Sequence, residues 1–138
     1  MIYAGVTANN DGAFALAYGA SGKVHYESFA AEKFTRMMDE ASPMEARCVI
    51  EMPDGGIIET PEIINPAVYS QFYCRSRGIP FMYVKPGTLR RAYDMANGQT
   101  MTGECRIRFP EIEFRGEPKV QEEEAKAVLL AKYAKRYL

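Results

Sequence analysis

The fold is decided near the amino terminus by residues 2–18, IYAGVTANNDGAFALAY. Apolar and β-forming residues at 2–7 predict a strand, and AFALAYG at 13–19 predicts a return strand. Between them, NNDG at 9–12 has the Asn, Asp and Gly residues that tolerate the left-handed backbone of a tight hairpin turn. A further turn, ASG, leads to KVHYESF at 23–29, whose alternating polarity predicts a third strand. We therefore expect an antiparallel meander of three strands.

The period of the apolar pattern changes after the meander. Residues 30–41 place apolar side chains at helical spacing with charges opposite, and predict a helix that ends at Pro43. Residues 45–53 contain a short apolar run bounded by Pro and Gly, which is typical of a buried parallel strand. A loop is expected at 54–65. A helix is predicted at 65–78, because this stretch begins with Asn-Pro and ends with Gly, the residues preferred at helix starts and ends.

The rest of the chain continues the alternation of strands and helices. We predict a strand at 79–86, a short helix at 87–96 and a long helix at 120–138. Residues 97–119 have no pattern from which we predict an element. The long helix is expected to bury a face of small and apolar residues, namely Ala127, Leu130, Ala131 and Ala134.

This order of elements predicts an α/β fold of the ribonuclease-H-like class. A meander followed by α/β units places an antiparallel ribbon beside parallel strands, which gives a mixed five-stranded sheet flanked by helices. A chain of 138 residues suits one domain, and we assign residues 1–138 to it.

Composition is that of a globular protein of a reducing compartment. Hydrophobic residues make up 47% and charged residues 25% of the chain. No apolar run approaches the roughly 20 residues of a membrane span, and no signal peptide is recognised. The three cysteines, Cys48, Cys74 and Cys105, are far apart and form no CxxC pair, which argues against a zinc site. We expect a protein of a reducing compartment without membrane contact.

Charge is distributed unevenly along the chain, although the net charge is only −1. Residues 1–69 contain four basic and ten acidic residues, whereas residues 70–138 contain thirteen basic and eight acidic ones. One stretch has five basic residues and no acidic one, and these are Arg75, Arg77, Lys85, Arg90 and Arg91. Such a stripe can bind phosphate groups, or it can simply be a solvated face.

Five stretches, in the correct order, resemble the RuvC-like Holliday junction resolvases, particularly those of phages. The five are AGVTANNDGAFAL at 4–16, CVIEMP at 48–53, RGIPFMYVKPGTLRRAYDM at 77–95, RIRFPEI at 106–112 and EEEAKAVLLAKYAK at 122–135. They cover nearly the whole chain. Each motif is weakly specific by itself, and the order of the five carries the resemblance.

The resemblance implies a site of four acidic residues around two Mg²⁺ ions, which would clamp a phosphodiester. The first acid of the family aligns with Thr7, and the second with Glu51. The third falls at Glu122 or Glu123, and the fourth aligns with Lys126. A hydroxyl is a poor substitute for a bridging carboxylate. An ammonium repels a divalent cation, since one unit charge pair at about 4 Å is worth roughly 4 kcal/mol at an effective dielectric near 20.

We therefore predict a catalytically degenerate RuvC-like protein, with no metal or other cofactor, that binds branched or duplex DNA or a protein partner. The 75–91 stripe would contact the DNA. One alternative is an active Mg²⁺-dependent Holliday junction resolvase, a crossover junction endodeoxyribonuclease, that uses Glu51 with Glu122 or Glu123. Asp11 would then replace the lost aspartate. Another alternative is a protein-interaction module without any nucleic-acid role. The resemblance also implies a phage origin, a cytoplasmic location, a role in DNA recombination and a homodimer.

A specific structural expectation follows for Lys126. Glutamates gathered without metal ions repel one another, and an ammonium among them would remove that repulsion. We predict that the Lys126 ammonium points into the former metal site and pairs with Glu51. The alternative is that Lys126 lies on the outer face of its helix, as most lysines do.

Overall fold

The computed structural model describes residues 1–52 and 65–138. Within them the chain forms one mixed sheet with the strand order β3-β2-β1-β4-β5. The strands are β1 Ile2–Val6, β2 Ala13–Tyr18, β3 Val24–Ser28, β4 Ala46–Glu51 and β5 Phe81–Val84. β1 pairs antiparallel with β2 and parallel with β4, while β2–β3 is antiparallel and β4–β5 is parallel. The predicted ribonuclease-H-like sheet is confirmed, including its meander.

Five α-helices flank the sheet in the described residues, together with a short 3-10 helix at Pro43–Glu45. They are α1 Ala31–Met38, α2 Pro66–Arg77, α3 Gly87–Ala92, α4 Met101–Arg108 and α5 Pro118–Tyr137. In residues 1–52 and 65–138 no helix is both long and apolar enough to cross a bilayer. The predicted loop at 54–65 falls, apart from Asn65, outside the described residues.

The prediction of no element at 97–119 is wrong, because α4 lies within this segment. Thr100 caps its start, and the Thr100 hydroxyl accepts a hydrogen bond from the Gly103 backbone N–H at 2.9 Å. A glycine in an eight-residue helix weakens the local signal. Part of what stabilises α4 comes from elsewhere in the chain, since the Glu122 carboxylate accepts from its first two backbone N–H groups. No local pattern reveals such a contact.

The two faces of the sheet bury two separate cores. Alternate residues of β2 point to opposite faces: Ala13, Ala15 and Ala17 belong to the core under α5, and Phe14 and Leu16 belong to the core under α1 and α2. The small side chains on the first face allow the long helix to lie close to the strands. The predicted inner face of the last helix is confirmed, since all four of its residues are fully buried.

Gly5 in β1 marks the closest approach of helix and sheet. A Cβ atom at this position would lie 2.4 Å from the Ala127 carbonyl oxygen and 2.6 Å from the Leu130 Cβ. Only glycine permits this contact. It places the middle of α5 against β1, and so brings residues just before Ala127 to the sheet edge where β1 ends.

The carboxyl ends of the three parallel strands meet at that edge. Val6 pairs with Ile50, and Glu51 pairs with Val84. Thr7, Glu51 and Lys85 therefore lie at or just beyond one edge of the sheet, which is where open α/β sheets carry their ligand sites.

Candidate functional site

Thr7 follows β1 and is completely buried. Its hydroxyl accepts a hydrogen bond from the Ala13 backbone N–H at 2.9 Å, and its own N–H donates to the Ala13 carbonyl at 3.0 Å. Gly12 packs against it, because a Cβ atom there would lie 2.4 Å from the Thr7 hydroxyl oxygen. The side chain at the position of the family's first acid therefore holds the hairpin together.

Lys126 projects from α5 to the same sheet edge and contacts two glutamates. Its Nζ lies 3.1 Å from Glu51 Oε1 and 3.4 Å from Glu123 Oε1. The side chains are largely buried from solvent, with exposed fractions of 16% for Lys126, 5% for Glu51 and 14% for Glu123. The predicted pairing of Lys126 with Glu51 is confirmed, and the alternative of an outward-facing lysine is wrong. We call these three side chains the Lys126 cluster.

The charges of the Lys126 cluster shift the pKa of the lysine. Burial lowers the Lys126 pKa, and attraction by Glu51 and Glu123 raises it; the attraction prevails, so the pKa lies above its ordinary value. Lys126 is thus an ammonium at neutral pH. The Ala8 backbone N–H donates to Glu51 at 3.3 Å, and the Asn9 side-chain amide donates to Glu123. Glu123 Oε2 is buried without a hydrogen-bond partner in the described residues.

The three consecutive glutamates of α5 have three different environments. Glu123 belongs to the Lys126 cluster. Glu122 points to α4, where it accepts from the Met101 and Thr102 N–H groups at 2.9 and 3.0 Å and from the Thr102 hydroxyl at 3.0 Å. Glu124 is buried, and both burial and the nearby charge of Glu27 raise its pKa. Of the two positions left open for the third acid, the structure places Glu123 beside Glu51 and uses Glu122 as a helix cap.

The Lys126 cluster does not fit a pair of Mg²⁺ ions. Mg²⁺ requires oxygen ligands in near-octahedral geometry, whereas here an ammonium lies between the two carboxylates. Thr7 directs its hydroxyl oxygen to a backbone N–H. Within residues 1–52 and 65–138 no three His, Cys, Asp or Glu side chains are grouped so that they could hold a metal ion.

An open cleft of about 560 Å³ lies beside the Lys126 cluster. Its walls include Asn9, Asn10 and Asp11 of the hairpin turn and Lys119 and Glu123 of α5. Asp11, the candidate replacement for the lost aspartate, is exposed in this cleft. It is not among the groups within hydrogen-bond distance of Lys126.

Asn65 fixes the cleft wall to α2, a role that its sequence context did not reveal. Its side-chain oxygen accepts from the Ala67 and Val68 N–H groups at 2.9 and 3.3 Å, as expected of a helix cap. Its side-chain NH₂ donates to the Ala8 carbonyl at 3.1 Å and to the Asn10 side chain at 2.9 Å. One buried amide therefore joins the start of α2 to the hairpin turn.

Two arginines of the predicted basic stripe are engaged within the protein. Arg77 pairs with Asp39 at 3.2 Å and also donates to the Met38 and Ala41 carbonyls, so it joins α1 to α2. Arg90 donates to the Gln99 carbonyl at 2.9 Å. Arg77 uses both of its terminal nitrogens in these contacts, whereas Arg90 uses Nη1.

The other three basic residues are exposed. Arg75, on α2, lies over the ring of Phe81, with 5.8 Å from its Cζ to the ring centroid, and its guanidinium also reaches Tyr83. Lys85 follows the end of β5, next to the residue that pairs with Glu51. Arg91 lies near Lys85, because its guanidinium folds back over Gly87. The structure thus brings Lys85 and Arg91 to the edge with the Lys126 cluster, whereas Arg75 lies along β5.

No protein-family model and no curated protein matches the chain. Solved structures do match it. The RuvC of T. thermophilus in complex with a Holliday junction substrate matches with a TM-score of 0.61 and 12% identity, over 99% of this chain and 96% of that one. The chain has a RuvC-like fold. A second Thermus thermophilus RuvC structure matches over the same shares of both chains, with a TM-score of 0.47 and 14% identity.

The comparison confirms the predicted RuvC resemblance at the level of the fold. At 12% identity the RuvC-like fold does not transfer catalytic residues or a substrate to this chain.

Proposed function

We propose that this RuvC-like protein binds branched or duplex DNA and does not cleave it. The observation that carries the proposal is the Lys126 ammonium between the Glu51 and Glu123 carboxylates. Phosphodiester hydrolysis by two metal ions needs carboxylates that are free to share the ions between the attacking and leaving oxygens. Here the carboxylates share a lysine instead.

The charge balance of the site supports the loss of hydrolysis. A carboxylate that pairs with Lys126 has part of its negative charge cancelled, so its attraction for a divalent cation is weaker. The ammonium itself repels the cation, and the nearly dry surroundings reduce the screening of that repulsion. Metal binding would require Lys126 to leave a position in which two carboxylate partners hold its ammonium.

Two observations support DNA as the partner. The T. thermophilus RuvC with the matching fold was solved with a Holliday junction substrate. In this chain, two exposed basic residues, Lys85 and Arg91, lie at the same sheet edge as the Lys126 cluster. A small number of cations suitably placed can bind phosphates although the net charge is −1.

The test is a synthetic four-way junction, assayed for cleavage and for gel shift with Mg²⁺ and with Mn²⁺ at defined salt. We expect a shift without cleavage. Cleavage would instead support an active endonuclease that uses Glu51 with Glu123 or Glu122, and Asp11. The absence of both would support a protein-interaction module.

A matched pair of variants tests which basic residues contact DNA. Reversal of both Lys85 and Arg91 to Glu should weaken binding and reduce the slope of log K against log salt by about two, or roughly 0.9 for each lost phosphate contact. Reversal of Lys23 and Arg115 to Glu makes the same change of charge at exposed residues away from β5; it serves as the control and should change the slope little. Equal effects from both variants would contradict the placement of DNA at the Lys126 edge.

A further inference from the structure

A second groove lies at the carboxyl-terminal end of α5 and is separate from the cleft beside the Lys126 cluster. Its volume is about 650 Å³. Residues of the α3–α4 region and of α5 line it, namely Tyr93, Arg108, Phe109, Lys132, Lys135 and Arg136. Four of the six carry positive charge, and none carries negative charge.

Aromatic rings position cations in this groove. The Lys132 Nζ lies 4.8 Å from the centroid of the Phe109 ring, and the Arg108 Cζ lies 5.0 Å from that of Tyr93. These distances are typical of cation–π contacts. Because cations cover the Phe109 and Tyr93 rings, the rings are poorly placed to stack on nucleic-acid bases. They instead hold the cations in place, which suits the binding of an anion.

Most of the positive charge in the groove is not neutralised by the protein. Arg108 pairs with Glu104 and donates to the Tyr93 carbonyl at 3.1 Å. In the described part of the chain Lys132, Lys135 and Arg136 form no salt bridge. Three cations thus remain around one open groove.

The end of a helix explains only part of this charge. Lys135 and Arg136 lie in the last turn of α5, where cations interact favourably with the helix dipole. Lys132 lies further from the end and is half-buried. Its pKa is lowered by burial and by the charge of Lys135, and the weaker opposing effect of the Glu111 charge only partly offsets this. A half-buried lysine beside a second lysine is unfavourable without an anion, so the groove is complementary to one.

We propose that this groove binds the phosphate groups of a nucleic-acid backbone, as a second contact surface away from the Lys126 cluster. The proposal rests on the proposed DNA-binding function. Lys135 lies nine residues after Lys126, about 14 Å along the helix axis. Contacts to phosphates carry no sequence information, and the neighbouring aromatic rings are covered by cations. We therefore predict that the groove binds DNA without base preference.

The first test compares two double variants with the same change of charge. Reversal of Lys132 and Lys135 to Glu should weaken binding of both a four-way junction and a plain duplex about tenfold in 100 mM salt, with a salt slope smaller by about two. Reversal of Lys23 and Arg115, which are exposed and outside the groove, is the control. Fluorescence anisotropy from 50 to 200 mM salt measures both quantities, and circular dichroism melts verify folding.

The second test uses the unmodified protein, so it does not depend on how well a variant folds. Lysine acetylation with and without duplex DNA, read by mass spectrometry, should show Lys132 and Lys135 protected at least threefold more than Lys23. Two duplexes of unrelated sequence should protect them equally.

The outcomes separate this proposal from the proposed function. If the protein binds DNA but the groove variant matches the control and its lysines stay reactive, the groove proposal alone is wrong. Protection by inorganic tripolyphosphate but not by DNA would also overturn it. If the protein binds no DNA at all, both proposals are wrong. If it binds and cleaves, only the proposed absence of cleavage fails.

Discussion

Replacing Lys126 by Met tests whether the lysine is an internal counter-ion. Methionine retains an unbranched side chain of similar length, so the packing around position 126 changes little, but the positive charge is lost. Glu51 and Glu123 would then be left as two buried carboxylates without a cation. Loss of one partner of a buried pair leaves an uncompensated charge, which is strongly destabilising.

The expected loss of stability is about 3 kcal/mol at pH 7. Measured effects of breaking buried pairs are about 3 to 5 kcal/mol. Because Lys126 keeps 16% of its side chain exposed, we take the lower end of that range. A loss of about 3 kcal/mol in a chain of this length lowers Tm by about 10 °C.

The dependence on pH has a defined sign. The pKa of Lys126 is raised in the folded protein, so its contribution is fully present below the ordinary lysine pKa of about 10.4 and is lost as pH rises through the folded value. The difference between wild type and Lys126→Met should therefore be fully present at pH 7 to 9 and should shrink as pH rises above about 10.4.

Urea unfolding at several pH values measures these differences, and a double-mutant cycle isolates the pair. Glu51→Gln combined with Lys126→Met should show a coupling of about 2 kcal/mol, so the double variant should be more stable than the sum of the single losses predicts. Lys135→Met, an exposed lysine of the same helix, is the matched control and should cost less than about 0.5 kcal/mol. A loss below about 1 kcal/mol for Lys126→Met, with no coupling, would refute the reasoning, because it is the behaviour of a solvated pair.

Three further predictions concern the supports of the site. Asn65→Ala should lower the free energy of unfolding by about 2 to 3 kcal/mol, because it removes a helix cap and a buried link to the hairpin turn. Asn65→Asp keeps the cap, so its stability should lie between those of wild type and Asn65→Ala. Equal losses of stability in the two variants would contradict the link to the turn. Gly5→Ala should lower the free energy of unfolding, measured in urea, by at least about 2 kcal/mol, since its Cβ would lie 2.4 Å from the Ala127 carbonyl oxygen. No change in stability would mean that α5 can move away from β1. Glu124→Gln should raise Tm at pH 7, because burial and the charge of Glu27 raise the Glu124 pKa and so disfavour the carboxylate in the folded protein. The gain in Tm should vanish below about pH 4, where the glutamate is protonated. A gain that persists in acid would exclude the charge of Glu124 as its cause.

The sequence by itself determined the elements whose signals are local. Turn residues and a period of two predicted the meander, and a start at Asn-Pro with a Gly end predicted α2 nearly to the residue. The RuvC resemblance could also be recognised from the sequence, together with Thr7 and Lys126, which stand where the family has acidic residues. The residue type at an aligned position can be read without a structure. These features follow from backbone preferences and side-chain chemistry within a few neighbouring residues.

Only the tertiary structure decided which of the candidate residues act together. Adjacent glutamates on α5 diverge because successive positions on a helix point about 100° apart, so Glu123 meets Lys126 while Glu122 caps α4. The 75–91 stripe divides because its residues lie on three elements, with Arg75 on α2, Lys85 after β5 and Arg91 on α3. The groove at the end of α5 joins side chains from positions 93 to 136. Each of these outcomes depends on contacts between residues far apart in the chain, whose geometry is set by how the helices pack on the sheet and not by any local pattern.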